Sequence, residues 1–202
     1  MSGPDCYFKK RMTYLWKGHP FAFDIGHTIF SSFEVDKGSD LLLRTLDISG
    51  APPPQHILDL GCGCGILGIV LARQFPEARV TLVDRDLLAV RYARHNCAIN
   101  AIENARVVGS VGFEQLPPDP YDLIVSNIPA KVGDRAIEEA FILAPAQRLR
   151  GGGSYWFVAV SGLNHLIPKV GTRHQFSLKE MKKRSGHTVY RLLDTRGECR
   201  VG

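Results

Sequence analysis

The sequence predicts an α/β domain with a mostly parallel sheet and helices on both faces. Three observations carry that reading. Short apolar runs alternate with helical runs from about residue 55 onward. A glycine-rich turn joins the first such run to the first helix. At 202 residues and 45% apolar content, the chain fills one well-packed core and is short for two.

Ahead of that alternation, "PFAFDIGHTIFSSF" (residues 20–33) alternates apolar with small or polar residues around Ile25-Gly26-His27, the pattern of a short hairpin. "DKGSDLLLRTLDI" predicts a helix with Ser39 as its candidate cap and leucines at 41, 42, 43 and 46. "SGAPPP" ends it, which divides an N-terminal appendage, residues 1–54, from a main domain over residues 55–202.

The main domain then reads in order. "HILDL" is a strand, "GILGIVLARQF" a helix, "RVTLVD" a strand, "LLAVRYARHNCAIN" a helix and "ARVVG" a strand. "YDLIV" follows as a buried strand, then a helical stretch from about Gly133 to Leu149 interrupted by Pro145, then the strand "SYWFVAV". The tail leaves this rhythm: "QFSLKEM", the basic turn "KKRSGH" and "TVYRLL" predict a closing antiparallel hairpin. No internal repeat or low-complexity tract stands out.

Composition narrows the function classes. No segment approaches eighteen uncharged apolar residues and the N-terminus lacks a leader-like run, so the expectation is a cytoplasmic protein without a membrane span. The five cysteines include Cys62 and Cys64, two apart in a glycine run without histidines at metal spacing. They read as reduced thiols filling small spaces, with no metal site expected. The net charge of +5 is unevenly placed: residues 1–20 and 169–202 together carry +9, and the stretch between them carries −4. Basic ends of this kind suit either a polyanion such as RNA or simple solubility.

The chemistry-bearing motif is "ILDLGCGCGILG". It places Asp59 at the end of a strand and Gly61, Gly63 and Gly65 at alternate positions, where a ligand can approach the backbone at the positive end of a helix. Nineteen residues after Gly65 the next strand ends on Asp84, a carboxylate suited to the two hydroxyls of an adenosine ribose. The run from Gly63 to Gly68 also fits the dinucleotide pattern GxGxxG, which alone is weak. Asp59 argues against a dinucleotide, because a carboxylate there would face a pyrophosphate, whereas it suits a ligand carrying a sulfonium and an ammonium.

"DLGCGCG", "VDRD" and "SNIPA", in that order and spacing, resemble the motifs of class I S-adenosylmethionine-dependent methyltransferases. Within them the resemblance is to the small-domain type that includes the small-subunit ribosomal RNA guanine-N2 methyltransferases, and it extends over roughly residues 20–194. It implies a Rossmann-like fold with a seven-stranded, mostly parallel sheet, a C-terminal antiparallel hairpin strand and helices on both faces. It also implies that Asp59, Gly61, Cys62, Gly63 and Gly65 hold the methionine end of S-adenosylmethionine and Asp84 its ribose. Arg85 would cover part of the adenosine, while Asp36, Lys37 and Gly38 close over the methionine side. Ser110 and Val111 stand where relatives often carry an Asp or Asn for the adenine amino group.

"SNIPAK" supplies the candidate catalytic residues. An exocyclic amine is a poor nucleophile because its lone pair is delocalised into the ring. An amide oxygen from Asn127 and the carbonyl of Ile128, stiffened by Pro129, would accept its N–H bonds and turn the lone pair toward the methyl, which is catalysis by orientation. Ile128 stands where relatives carry a first proline, restoring an N–H and some freedom. Ala130 stands where they carry an aromatic that stacks on the base. Phe21, Phe23, Phe30, Phe33 and Phe113 are candidate substitutes, each also a plausible core residue.

The implied reaction is methyl transfer to a guanine exocyclic amine in ribosomal RNA or a ribosomal subunit. Lys131, Lys182, Lys183 and Arg184 are candidate phosphate contacts. A ribosomal-protein N-methyltransferase, an NAD(P)-binding oxidoreductase and a noncatalytic RNA-binding module stand as alternatives. Oligomeric state is not legible.

Overall fold

A computed structural model describes residues 5–27, 37–130 and 132–194. Its frame is a seven-stranded sheet: β3 (His56–Leu60), β4 (Arg79–Asp84), β5 (Ala105–Gly109), β6 (Tyr121–Asn127), β7 (Leu149–Val160), β8 (Ser177–Arg184) and β9 (His187–Leu193). Their spatial order is β5-β4-β3-β6-β7-β9-β8. β5, β4, β3, β6 and β7 run parallel; β9 is antiparallel to both β7 and β8. The predicted fold class and closing hairpin are therefore observed. Continuous apolar runs in β3, β4 and β6 follow from burial on both faces, since helices cover each side of a parallel sheet.

The chain order reverses between β3 and β6, and there the connections leaving the two strands pack on opposite faces of the sheet. Ligands of open α/β sheets settle in the crevice this leaves. α2 (Ile66–Gln74) leaves the glycine turn after β3, and α3 (Leu87–Ile99) follows β4, capped by the Asp86 side chain on the Leu88 N–H. Two apolar clusters, one on each face of the sheet, make up the core.

The N-terminal hairpin is not where the sequence pattern puts it. It is formed by β1 (Phe8–Trp16) and β2 (His19–Gly26) and turns at Lys17-Gly18, both with positive φ, whereas Ile25 and Gly26 end its second strand. A two-residue turn of that kind matches the twist of the strands it joins. Lysines and Arg11 in "FKKRMTYLW" disguise the alternation of Met12, Tyr14 and Trp16 that packs on the core. The hairpin is clasped to α3: Asn96 and Asn100 exchange hydrogen bonds with the backbone of Asp24 and Ala22. The same Asn96 amide donates to the Cys64 carbonyl of the glycine turn at 2.8 Å.

α1 (Lys37–Thr45) includes Ser39, so Ser39 is not its cap but a buried residue of its first turns. After β6 come α4 (Asp134–Ala136), a π-helical stretch Ile137–Leu143 and α5 (Ala144–Gln147). The predicted interruption at Pro145 takes this form: proline has no N–H for the Phe141 carbonyl and crowds it. The preceding turns widen, and the Ala144 N–H reaches Glu139 instead. α6 (Ile167–Arg173) completes the helices among the described residues.

Candidate functional site

A cavity of about 450 Å³ opens over the carboxyl ends of β3, β4 and β6. One wall is the glycine turn. Gly61, Gly63 and Gly65 all have positive φ, and a Cβ on Gly65 would press on Ile69, Leu82 and Ala93 at 3.0–3.4 Å. Gly63 faces open space, so the chain there leaves room for a ligand against its backbone.

Two carboxylates organise this wall differently. Asp84 accepts the Gly63 N–H at 2.8 Å on one oxygen and the Asp86 N–H at 2.9 Å on the other, which locks the turn to β4. Further lone pairs on those oxygens suit ribose hydroxyls. Asp59 is 1% exposed; its Oδ2 accepts the Gly68 N–H at 2.8 Å, while Oδ1 is buried without a partner among the described residues. Burial pushes its carboxyl up to about 7; the Gly68 bond opposes this and the Asp84 charge adds to it. An unpartnered buried oxygen of this kind fits a cationic ligand group, as in S-adenosylmethionine, and is a poor neighbour for pyrophosphate.

That raised value sets a pH signature. With the unfolded carboxyl titrating near 4 and the folded one near 7, Asp59 contributes stability at low pH that is lost as pH rises through 7. Thermal melts of the ligand-free protein should show wild type losing stability relative to Asp59→Asn from pH 4 to 7, by a few kcal/mol at most, and no further divergence above. Parallel curves would mean that Asp59 is ionised throughout.

Asn127, Ile128 and Pro129 continue the lining at the end of β6, so the structure brings the three candidate catalytic residues to the same cavity as Asp59, Gly61, Cys62, Gly63, Asp84, Arg85, Ser110 and Val111. The freedom expected of Ile128 is absent. Its N–H donates to the Val158 carbonyl at 2.9 Å, extending the β6–β7 ladder by one residue, and its side chain is buried. An N–H that a proline lacks here stiffens the turn rather than loosening it. Ser110 accepts the Gln115 N–H, and Val111 is an exposed residue of the rim.

Other expectations are placed elsewhere. Lys37 and Gly38 open α1 and do not line the cavity, and Gly65 lies buried beneath it. Lys131, Asp36, Phe30 and Phe33 lie outside the described residues. Phe21 and Phe23 are core residues stacked on each other, and Phe113 lies under the Arg148 guanidinium at 5.0 Å. Lys182, Lys183 and Arg184 belong to strand β8, because only Ser185 and Gly186 turn the hairpin. They are exposed at the carboxyl edge of the sheet, with β8 three strands or roughly 14 Å from β6. Cys62, Cys64 and Cys97 are buried free thiols, pushed up chiefly by burial, Cys64 to about 12 and Cys97 to about 11. Such thiols pack; they do not attack.

Among the cavity residues that the sequence reading does not single out for the site, two bear on the chemistry. Phe141, on the π-helical stretch, brings Cε1 to 3.7 Å from where a Gly61 Cβ would stand. Ser39 lines the cavity from α1, and its Oγ accepts a hydrogen bond from Asn127 Nδ2 at 3.1 Å. A signal for Ser39 exists: it shares one helical face with Leu42, Leu43 and Leu46, and a lone hydroxyl on an apolar face needs a partner.

Residues 21–191 match the family described as methyltransferase small domain. A ribosomal RNA small subunit methyltransferase C of Pseudomonas entomophila is 38% identical over 140 residues, 68% of this chain and 41% of that protein. Its counterpart in Ectopseudomonas mendocina is 34% identical over 165 residues, 80% and 48% respectively. The chain thus spans about half the length of the curated relatives it matches. Among solved structures it resembles the Thermus thermophilus 16S rRNA N2 G1207 methyltransferase RsmC in complex with AdoMet and guanosine. The TM-score there is 0.77 at 28% identity, covering 92% of this chain and 50% of that one. A ribosomal protein L11 methylase from Lactobacillus delbrueckii subsp. bulgaricus shares the fold, with TM-score 0.66 at 19% identity over 79% of each chain.

Proposed function

The chain belongs to the methyltransferase small domain family, and from that premise we propose that it transfers a methyl group from S-adenosylmethionine to the exocyclic amine of a guanine in small-subunit ribosomal RNA. The observation that carries the proposal is the single cavity joining the glycine turn and its two carboxylates to Asn127-Ile128-Pro129. S-adenosylmethionine supplies a methyl made electrophilic by its sulfonium. Asp59 and the turn from Gly61 to Gly65 hold the methionine end, Asp84 the ribose, and Arg85, Ser110 and Val111 the adenosine rim.

Asn127 Oδ1 and the Ile128 carbonyl accept the two amine protons. That orientation leaves the nitrogen lone pair for in-line attack, and the extra proton leaves to solvent after transfer. A paired base is flipped out first or is already single-stranded. Residues 1–54 act as the substrate-side appendage of a catalytic body formed by residues 55–202. Lys182, Lys183 and Arg184 meet phosphates at the carboxyl edge, positioning RNA without reading its sequence, and Lys131 is proposed for the same role from the sequence alone. No helix among the described residues is long and apolar enough to cross a membrane, in keeping with a cytoplasmic enzyme working on ribosomal RNA.

Phe141 replaces the aromatic missing at position 130, since among the described residues it is the phenylalanine on the cavity wall. Phe141→Ala should raise the KM for RNA about 10- to 100-fold, the value of one base stack, with S-adenosylmethionine affinity nearly unchanged. An unaltered RNA KM assigns Phe141 to packing alone. The reading as a whole is tested by incubating the protein with radiolabelled S-adenosylmethionine and separated ribosomal RNA and protein fractions, then mapping the label. Label on a guanine N2 is expected; label confined to protein overturns the RNA assignment.

A further inference from the structure

We propose that Asn96 is a positioning residue for the cofactor site: it holds the glycine turn in its ligand-binding shape and ties that shape to the seating of the N-terminal hairpin. The inference rests on the reading of the cavity as an S-adenosylmethionine site and adds to it a residue buried behind the cavity wall.

Asn96 is fully buried on α3, and its amide meets backbone groups only. Oδ1 accepts the Asp24 N–H at 2.8 Å, while Nδ2 donates to the Asp24 carbonyl at 3.1 Å and to the Cys64 carbonyl at 2.8 Å. A backbone N–H can only donate and a backbone carbonyl can only accept, so these three bonds admit one orientation of the amide. Asn100, at the C-terminal cap of α3, repeats part of the pattern: Oδ1 accepts the Ala22 N–H at 2.9 Å and Nδ2 donates to the Ala22 carbonyl at 2.6 Å. Spacing makes the pair work. Four residues of helix rise about 6 Å and two residues of strand about 6.7 Å, so the two asparagines serve the free edge of β2 as a neighbouring strand would. They differ in the remaining proton. Asn100 Nδ2 turns back to the Asn96 carbonyl at 2.8 Å, whereas Asn96 reaches on to the glycine turn.

That reach matters because of the peptide it ends on. Cys64 lines the cavity, and Gly65 follows it at φ 92°. Glycine accepts either sign of φ, so the peptide between them is free to rotate unless hydrogen bonds stop it. Its N–H end closes the turn on itself, Gly65 donating to the Cys62 carbonyl at 2.9 Å, and its carbonyl end is held from α3 by Asn96. The earlier part of the turn is anchored on the other side, to β4: Gly61 and Cys62 donate to the Val83 carbonyl and Gly63 to Asp84. Without Asn96 the Cys64 carbonyl becomes a buried acceptor lacking this donor, and the turn relaxes toward shapes that let it find another. Only the fraction of molecules still in the original shape then binds ligand at full strength.

The test compares Asn96→Ala with Asn100→Ala in the full chain. Each removes one rung between α3 and β2, so both should lower the melting temperature by similar amounts. Affinity separates them. In equilibrium titrations well below either melting temperature, Asn96→Ala should raise the Kd for S-adenosylmethionine about 5- to 50-fold, the cost of one buried acceptor left without its donor, and Asn100→Ala should stay within about twofold. In the ligand-free protein, labelling cysteine carbonyl carbons and glycine nitrogens selects the two Cys-Gly peptides of the chain, 62–63 and 64–65. The Cys64–Gly65 signal, identified as the one that survives Cys62→Ala, should move in Asn96→Ala and hold still in Asn100→Ala.

Equal affinities in the two variants overturn the proposal, whether both fall or neither does, because Asn96 would then act through stability or not at all. An unmoved Cys64–Gly65 signal in Asn96→Ala overturns it too. Should Asn96→Ala not fold, Asn96→Ser and Asn100→Ser, which retain a polar group, are compared by the same two readouts. Where wild type binds no S-adenosylmethionine the cofactor reading fails, and the Cys64–Gly65 signal alone decides whether Asn96 holds the turn.

Discussion

Replacing Asn127 with alanine is expected to lower the rate of methyl transfer by about 10²- to 10³-fold, the usual cost of removing one preorganised polar group from a reacting centre. S-adenosylmethionine affinity should stay within about twofold, because the methionine and ribose contacts are proposed for Asp59 and Asp84 and not for the Asn127 amide. Single-turnover kinetics and equilibrium titration separate the two quantities. The loss should fall on the chemical step alone, since the amide acts only on the amine that attacks. A matching loss of cofactor binding would make Asn127 a structural residue at the end of β6. The fold itself should survive: the strand end is held by its pairing to β7 and by Ser126, neither of which needs the amide.

Gly68→Ala is expected to be the most damaging small substitution in the glycine-rich segment. A Cβ there would stand 2.5 Å from Leu82 Cγ and 2.9 Å from both of its methyls, and Leu82 is fully buried on β4. The clash falls on the branch point, which rotation about χ2 does not move and rotation about χ1 would swing into a packed core, so α2 must lift from the sheet. Overpacking of this kind costs about 1–3 kcal/mol, which lowers the melting temperature by about 5 °C in a chain of this size. The Gly68 N–H also donates to Asp59 Oδ2. Lifting α2 weakens it, so cofactor affinity should fall together with stability. A melting curve and a titration on the same sample check both, and a stable variant with normal affinity would show that α2 repacks without strain.

Much of the fold could be read from the sequence because its signals are local. Alternating apolar runs and helical faces mark β3 to β7, and the glycine turn with two strand-end acids marks the cavity's first wall. Long-range partnerships leave no such trace. The Ser39 hydroxyl and the Asn127 amide are 88 residues apart, and only folding brings them to bonding distance. Phe141 was hidden for a different reason: helical spacing is counted at 3.6 residues per turn, and the π-helical stretch before Pro145 breaks that count. The first hairpin was displaced because lysines and Arg11 interleave with Met12, Tyr14 and Trp16, so its strand reads as a basic segment. The basic residues near 183 were given to a turn because Ser-Gly looked like the middle of one. Positive φ at Ser185 and Gly186 lets two residues do the work, leaving Lys182 to Arg184 on the strand.

That last placement has a meaning independent of any ligand. β8 is one of the two edge strands of the sheet, and an edge strand presents unpaired N–H and carbonyl groups that can template pairing with another molecule. Here the strand breaks register between Glu180 and Lys182 and shows Lys179, Lys182, Lys183 and Arg184 to solvent. A second copy approaching edge to edge would meet its own positive charges along a kinked rail. The strand therefore guards the sheet against self-association and aggregation, a task that would keep those charges in place even if no phosphate ever touched them.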